Sequence, residues 1–262
     1  MTCIDTSRGR IGLTEAGGGD ATPIIFLHGV GSDSSVWAPQ LDHFGQRRRA
    51  LAFSYPGYGK SGFVEGATRD DYAAAILAAM DSLAIRRAHI CGLSLGGVVA
   101  IAMHALAPDR CASLILADSF AVHPDGQAIY DRAVAASRTM SMRAQAEARS
   151  GVLLGSAAND ELRAKVIETM AAIDPASYRL GAAAVWLADQ RGRAKSIDVP
   201  TLVLVGAEDA ITPPRLSDEL GALIAGSRVE IINAAGHLAN AEQPEIFNRL
   251  VDRFLAGIEQ QK

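Results

Sequence analysis

Three residues whose types could together perform acyl transfer stand far apart in the chain. Ser94 lies in Gly92-Leu93-Ser94-Leu95-Gly96, Asp209 in Gly206-Ala207-Glu208-Asp209, and His237 in Ala235-Gly236-His237-Leu238. A serine hydroxyl is a poor nucleophile at neutral pH and needs a base within hydrogen-bond reach. His237 is the candidate base. Asp209 is the candidate acid that would fix the imidazole tautomer and stabilise its charged form. Asp118, in Leu116-Ala117-Asp118-Ser119, competes for that role, or caps the helix that follows it. Asp209 is preferred because the acid must stand on the His237 side of the nucleophile. Glu208 is adjacent but expected to point elsewhere.

G-x-S-x-G is weak evidence alone; its position gives it weight. It follows the apolar run His89-Ile90-Cys91 and precedes a helical pattern beginning at residue 95. A strand turning into a helix within a few residues strains the backbone of the serine and demands small residues two before and two after it. Gly92 and Gly96 supply these, and the turn would lift the Ser94 hydroxyl clear of a sheet. The plainer reading of Ser94 is a helix N-cap, and of His237 a surface-loop histidine. A tetrahedral intermediate would also need preorganised donors, for which the backbone N–H groups of Val30 and Leu95 are the candidates. His28, just before Gly29-Val30, reads as structural, its ring bonded to nearby backbone.

Elements able to bring these residues together are legible as apolar runs. Residues 2–6 and 10–16 read as an antiparallel hairpin. Residues 23–27, 49–54, 89–91 and 113–117 read as strands buried on both faces, and 201–205 and 228–232 as two later strand-like runs. Helical spacing marks 70–83, 95–107, 214–224 and 244–257. Alternating strands and helices predict an α/β fold with a mostly parallel eight-stranded sheet flanked by helices. Ligands in such sheets gather at the strands' carboxyl ends, where His28, Ser94, Asp209 and His237 all fall. Residues 120–196 interrupt the rhythm with helical periodicity and no convincing strand. They predict a helical cap inserted into a core made of 1–119 and 197–262.

Composition narrows the function further. With 262 residues, 49% of them hydrophobic, the chain can bury a large core without staples. A net charge of −4 with scattered basic residues argues against nucleic-acid binding; the Arg47-Arg48-Arg49 run reads as a solvated turn. Cys3, Cys91 and Cys111 have neither zinc nor redox spacing, and Cys91 and Cys111 read as core residues. No metal-ligand cluster is visible, and the chemistry needs no cofactor. Neither a signal stretch nor a membrane-length apolar run occurs, which predicts a cytoplasmic protein acting on a small molecule. A homo-oligomer stays open.

The set LHGVGSDSSVW, SYPGYGKSG, GLSLGG, LVLVGAEDAITPP and AAGHLANAEQPEIFNRLVDRFL resembles the α/β-hydrolase-fold enzymes. With IDPASYRLGAAAVW in the insertion, the chain is most similar to the 3-oxoadipate enol-lactonases. That resemblance implies hydrolysis of an enol-lactone in aromatic catabolism through Ser94, His237 and Asp209, with the insertion forming the pocket and Trp186 as a candidate wall residue. Trp37, Trp186 and Tyr130 read as packing residues, with an apolar pocket wall the alternative for Trp186. The chain departs from many relatives at Gly57-Tyr58-Gly59, where a histidine is common. An enol-lactone of this kind carries a free carboxylate, which an arginine would meet. The insertion offers Arg132, Arg138, Arg143, Arg149, Arg163, Arg179, Arg191 and Arg193. Rival readings are a generalist carboxylesterase or other lactonase, a carbon–carbon bond hydrolase, and a slow-turnover ligand receptor.

Overall fold

A computed structural model describes residues 1–260. Eight strands form one sheet in the order β1-β2-β4-β3-β5-β6-β7-β8. β1 (Thr2–Thr6) and β2 (Gly9–Ala16) form the antiparallel hairpin, and β2 runs antiparallel to β4. β3 (Ile24–Leu27), β4 (Ala50–Phe53), β5 (Ala88–Leu93), β6 (Cys111–Ala117), β7 (Thr201–Gly206) and β8 (Arg228–Ile232) are parallel. The expected strands are all present, with ends displaced by up to two residues.

Strand alternation sends side chains to two apolar layers. From β3, Ile24 and Phe26 join Trp37, α1 (Ala38–Phe44) and the C-terminal α11 (Pro244–Glu259) on one face. Ile25 and Leu27 join α2 (Arg69–Ser82) and α3 (Leu95–Leu106) on the other. From Leu95 to His104 every residue of α3 is buried, because this helix lies between the sheet and the insertion. α2 begins with a reciprocal capping box between Thr68 and Asp71.

Between β6 and β7 lie α4 (Gly126–Thr139), α5 (Met142–Leu153), α6 (Asp160–Ala171), α7 (Pro175–Trp186) and α8 (Arg191–Lys195). A Val122–Asp189 bridge and an N–H of Gln190 donating to Ala121 O draw the two ends of this helical layer together. α9 (Pro214–Leu223) and the short α10 (Ala239–Glu242) complete the chain order.

The arginine run behaves differently from a solvated turn. Arg48 is buried, its guanidinium donating to Thr22 O at 3.1 Å and to Glu259 Oε1 at 2.8 Å. The C-terminal helix thereby covers a side chain whose sequence neighbours are polar. Cys91 and Cys111 are free and buried. Among the described residues no helix is long and apolar enough to cross a membrane.

Candidate active site

Because β3 and β5–β8 are parallel, the loops that follow them meet at one edge of the sheet. The loop after β5 is the tightest. Ser94 has φ 55° and ψ −112°, a conformation that costs a non-glycine residue free energy. Gly92 and Gly96 make it attainable: a Cβ on Gly92 would lie 2.1 Å from Gly96 O, and one on Gly96 2.1 Å from Leu27 O. The Ser94 side chain does not cap α3. Although Ser94 is buried, its Oγ has no protein hydrogen-bond partner.

His237 follows β8 and shares a cavity wall with Ser94. Its Nδ1 lies 2.8 Å from Asp209 Oδ2, on the loop after β7. Asp209 is held from several sides: the N–H groups of Ile211 and Thr212 donate to Oδ1 at 2.8 and 2.9 Å, and Thr212 Oγ1 donates to Oδ2 at 2.7 Å. Burial pushes the Asp209 carboxyl up, but His237 and the Thr212 donors outweigh it and hold the group below the usual carboxylate range. This leaves an acceptor facing the Nδ1–H, and so turns Nε2 of the ring toward the other side.

Asp118, the competing acid, ends β6 with φ 46° and is fully buried. Its Oδ1 accepts the N–H of Gly206 at 2.8 Å, so it ties two strand ends together and caps no helix of the insertion. Burial, with nearby Asp209 adding to it, pushes its carboxyl well above the normal range. The two acids are thus driven apart in charge, and Asp209 is the one on the histidine.

The loop after β3 supplies the facing wall. Gly29 lies beside Ser94, where an added Cβ would be in ordinary van der Waals contact with Ser94 Cβ at 3.5 Å, and Val30 lines the cavity next to it. Leu95, as the first residue of α3, presents an N–H that the helix itself cannot use. His28 is buried under this loop, its Nδ1 at 2.8 Å from Gly29 O and its Nε2 accepting the Tyr55 N–H at 3.4 Å. Tyr58 packs against the His28 ring and donates its hydroxyl to Ser177 O at 3.2 Å. It joins the sheet edge to α7.

The cavity itself is about 100 Å³, several times the roughly 10–15 Å³ that one water needs. Leu153, Leu162, Val166, Met170 and Trp186 of the insertion close it, and Leu238 and Ala241 form the side nearest His237. Trp186 is nearly fully buried and stacks on Phe120. Two contributors escaped the sequence reading. Thr212, three residues after Asp209, was marked only by a short acid-to-threonine spacing of the kind that forms local side-chain turns. Glu242 is buried on α10; it accepts the N–H groups of Gly236, Leu238 and Gly155 at 3.0, 3.3 and 2.7 Å. It brackets His237 from both sides in sequence, and burial pushes its carboxyl up.

The arrangement places a strained, unpartnered hydroxyl and a carboxylate-backed imidazole on one small, mostly apolar cavity. Several known proteins have similar chains. 3-Oxoadipate enol-lactonase 1 of Acinetobacter baylyi is 29% identical over 92% of this chain and 91% of its own length. Carboxylesterase YbfK of Bacillus subtilis is 27% identical over 97% of this chain and 87% of its own. The crystal structure of the enol-lactonase from Burkholderia xenovorans LB400 superposes with a TM-score of 0.90 at 28% identity, covering 97% of this chain and 100% of that one. The sequence profile of the alpha/beta hydrolase family matches residues 24–250, and the chain belongs to that family.

Proposed function

We propose that this protein is a serine hydrolase of carboxylic esters or lactones, with 3-oxoadipate enol-lactone as its substrate. The observation that carries the reading is the Asp209–His237 pair at 2.8 Å on the wall of the cavity holding the unpartnered Ser94 hydroxyl. Ser94 Oγ attacks the lactone carbonyl while its proton passes to His237 Nε2. Asp209 holds the ring and stabilises the imidazolium without taking the proton itself. The oxyanion is met by the N–H groups of Val30 and Leu95, donors that typically supply about 2.7–4 kcal/mol each in such sites.

Collapse of the intermediate breaks the ring C–O bond. The leaving enol oxygen takes the proton from His237, and the enol becomes a ketone by tautomerisation. Water, deprotonated by the same histidine, then releases the acid from Ser94. The helical layer of residues 120–196 serves as a cap that excludes bulk water from these steps, with Trp186 as a pocket wall. No step calls for a metal or an organic cofactor.

The enol-lactone reading draws support from the similarity to enol-lactonases of Acinetobacter and Burkholderia and from the small, mostly apolar cavity beside Ser94. A generalist carboxylesterase is the second reading, favoured by the similarity to a Bacillus carboxylesterase. Steady-state kinetics on the enol-lactone beside short p-nitrophenyl esters separate them. A lactone preference above about tenfold in kcat/KM, about 1.4 kcal/mol in transition-state binding, supports the enol-lactonase; a smaller one supports the esterase. Ser94→Ala lowers turnover by orders of magnitude in either case, and unchanged turnover would overturn both.

A further inference from the structure

Four of the chain's five tyrosines, Tyr55, Tyr58, Tyr72 and Tyr178, are buried in one cluster with Val30. Among the described residues the hydroxyls of Tyr55, Tyr72 and Tyr178 have no protein partner. That of Tyr58 has one: it donates to Ser177 O, in the first turn of α7, at 3.2 Å. Burial pushes the Tyr58 phenol well above its ordinary pKa, so it stays a donor. Two glycines clear the space for this contact. At Gly181, one turn further along α7, an added Cβ would lie 2.0 Å from Tyr58 Oη and 3.0 Å from Val30 Cγ2. Gly57 has φ 84°, and a Cβ there would lie 2.5 Å from Ser177 Oγ. The loop after β4 and the loop after β3 therefore meet α7 at the same point, with the Tyr58 hydroxyl filling the gap that Gly181 leaves.

The ring of Tyr58 leads toward the reaction. Its centroid lies 5.1 Å from that of His28. His28 Nδ1 donates to Gly29 O at 2.8 Å, and the same oxygen accepts the Ser32 N–H at 3.2 Å. The Gly29 carbonyl and the Val30 N–H belong to one planar trans peptide, so bonds that fix the oxygen fix the direction of the N–H. We propose that Tyr58 is a positioning residue for the oxyanion: its hydroxyl on Ser177 O and its ring against His28 hold the Gly29–Val30 peptide at a set distance from α7, with the Val30 N–H aimed at the carbonyl oxygen that Ser94 attacks. The helical insertion thereby supports the donor that stabilises the transition state, besides roofing the cavity. This inference rests on the hydrolytic reading of Ser94. A shift of about 1 Å in a reacting group can cost about 10²-fold in rate, so removing one hydrogen bond of this support is expected to cost about tenfold.

Rates are measured per titrated active site on whichever of 3-oxoadipate enol-lactone and p-nitrophenyl acetate the wild type turns over faster. Tyr58→Phe keeps the ring and removes only the bond to Ser177 O. Its kcat is expected to fall about tenfold with KM unchanged within about twofold. The second readout is affinity for a short alkyl trifluoromethyl ketone. Ser94 Oγ adds to its carbonyl carbon, the serine proton passes to His237, and the ketone oxygen becomes the oxyanion. That affinity falls in Tyr58→Phe by the same factor as kcat/KM. Tyr72→Phe removes a partnerless hydroxyl of the same cluster and leaves kcat within about twofold of wild type. Gly181→Ala drives a methyl against Tyr58 Oη and slows turnover further; Gly181→Ala/Tyr58→Phe, which lacks the obstructing oxygen, is faster than Gly181→Ala alone. A role in folding alone lowers the melting temperature and the number of active sites, and leaves kcat per site and ketone affinity as in the wild type. If Tyr58→Phe keeps both, if Tyr72→Phe loses as much, or if the double variant is no faster than Gly181→Ala, this inference falls while the hydrolytic reading stands on the wild type's own turnover. A wild type that turns over neither substrate overturns that reading and this inference with it.

Discussion

Acidification should reveal what His28 is for. Its ring is fully buried below the Gly29-Val30 loop, and burial lowers its pKa from 6.5 to about 4, against smaller opposing effects of Gly29 and Asp33. The hydrogen bonds define the neutral tautomer: Nδ1–H donates to Gly29 O, and Nε2 accepts the Tyr55 N–H. A proton on Nε2 would set two donors against each other. The folded protein therefore resists protonation over a range in which the unfolded chain accepts it, and stability falls as pH drops from about 6.5 toward about 4. The gap between those values, at about 1.36 kcal/mol per pH unit, amounts to roughly 3 kcal/mol in full and about 2 kcal/mol by pH 5. Urea unfolding of wild type and His28→Gln at pH 7.5 and pH 5 isolates this group from the carboxylates, which both proteins share. The wild type is the more stable at pH 7.5, and its advantage shrinks by about 2 kcal/mol at pH 5. An advantage that stays constant within about 0.5 kcal/mol would refute the buried neutral imidazole.

Three further outcomes follow from the site. Asp209→Asn lowers kcat by about 10⁴ while Asp118→Asn, whose carboxyl sits on the Gly206 N–H, costs far less; equal losses in a steady-state assay would reassign the acid. Gly96→Ala forces a Cβ to 2.1 Å from the Leu27 carbonyl and should destabilise the fold by about 3 kcal/mol in urea titration, so a wild-type midpoint would show the turn at Ser94 to be slack. In Glu242→Gln an amide N–H₂ must face the Gly155, Gly236 or Leu238 N–H donors; about 2 kcal/mol is lost, and the melting temperature drops by roughly 4–8 °C. An unchanged melting temperature would mean that those donors find other acceptors.

What could be seen in the sequence depended on how local the cause was. The strands β3 to β7 are buried on both faces, and a run such as Ile24-Ile25-Phe26-Leu27 announces that directly. The turn at Ser94 was legible because its steric demand falls on Gly92 and Gly96, two residues either side of it. Residues 38–44 hid their helix, since a Trp-Ala-Pro entry and only seven residues leave too little periodicity. Arg48 was misread because its partner, Glu259, lies 211 positions away. Glu242 acts on backbone N–H groups, which no residue type advertises. The insertion's arginines could not be sorted for the same reason: which of them faces a cavity depends on how α4 packs on α7 and α5 on α6, and these contacts are tertiary.

The loop after α5 is fastened to the loop that carries His237. Leu153 O accepts the His237 N–H at 2.8 Å, Gly155 N–H donates to Glu242, and Ser156 bonds Glu208 through both its N–H and its hydroxyl. A hinged lid that swung away here would pull the imidazole's own main chain with it and dismantle the machinery it uncovers. A route into the Ser94 cavity that leaves this fastening intact has to pass between lining side chains, of which Arg149 and Lys165 are the two charged ones besides the histidine. The hydrogen bonds that hold the helical layer down are thus the same ones that hold the His237 main chain in place.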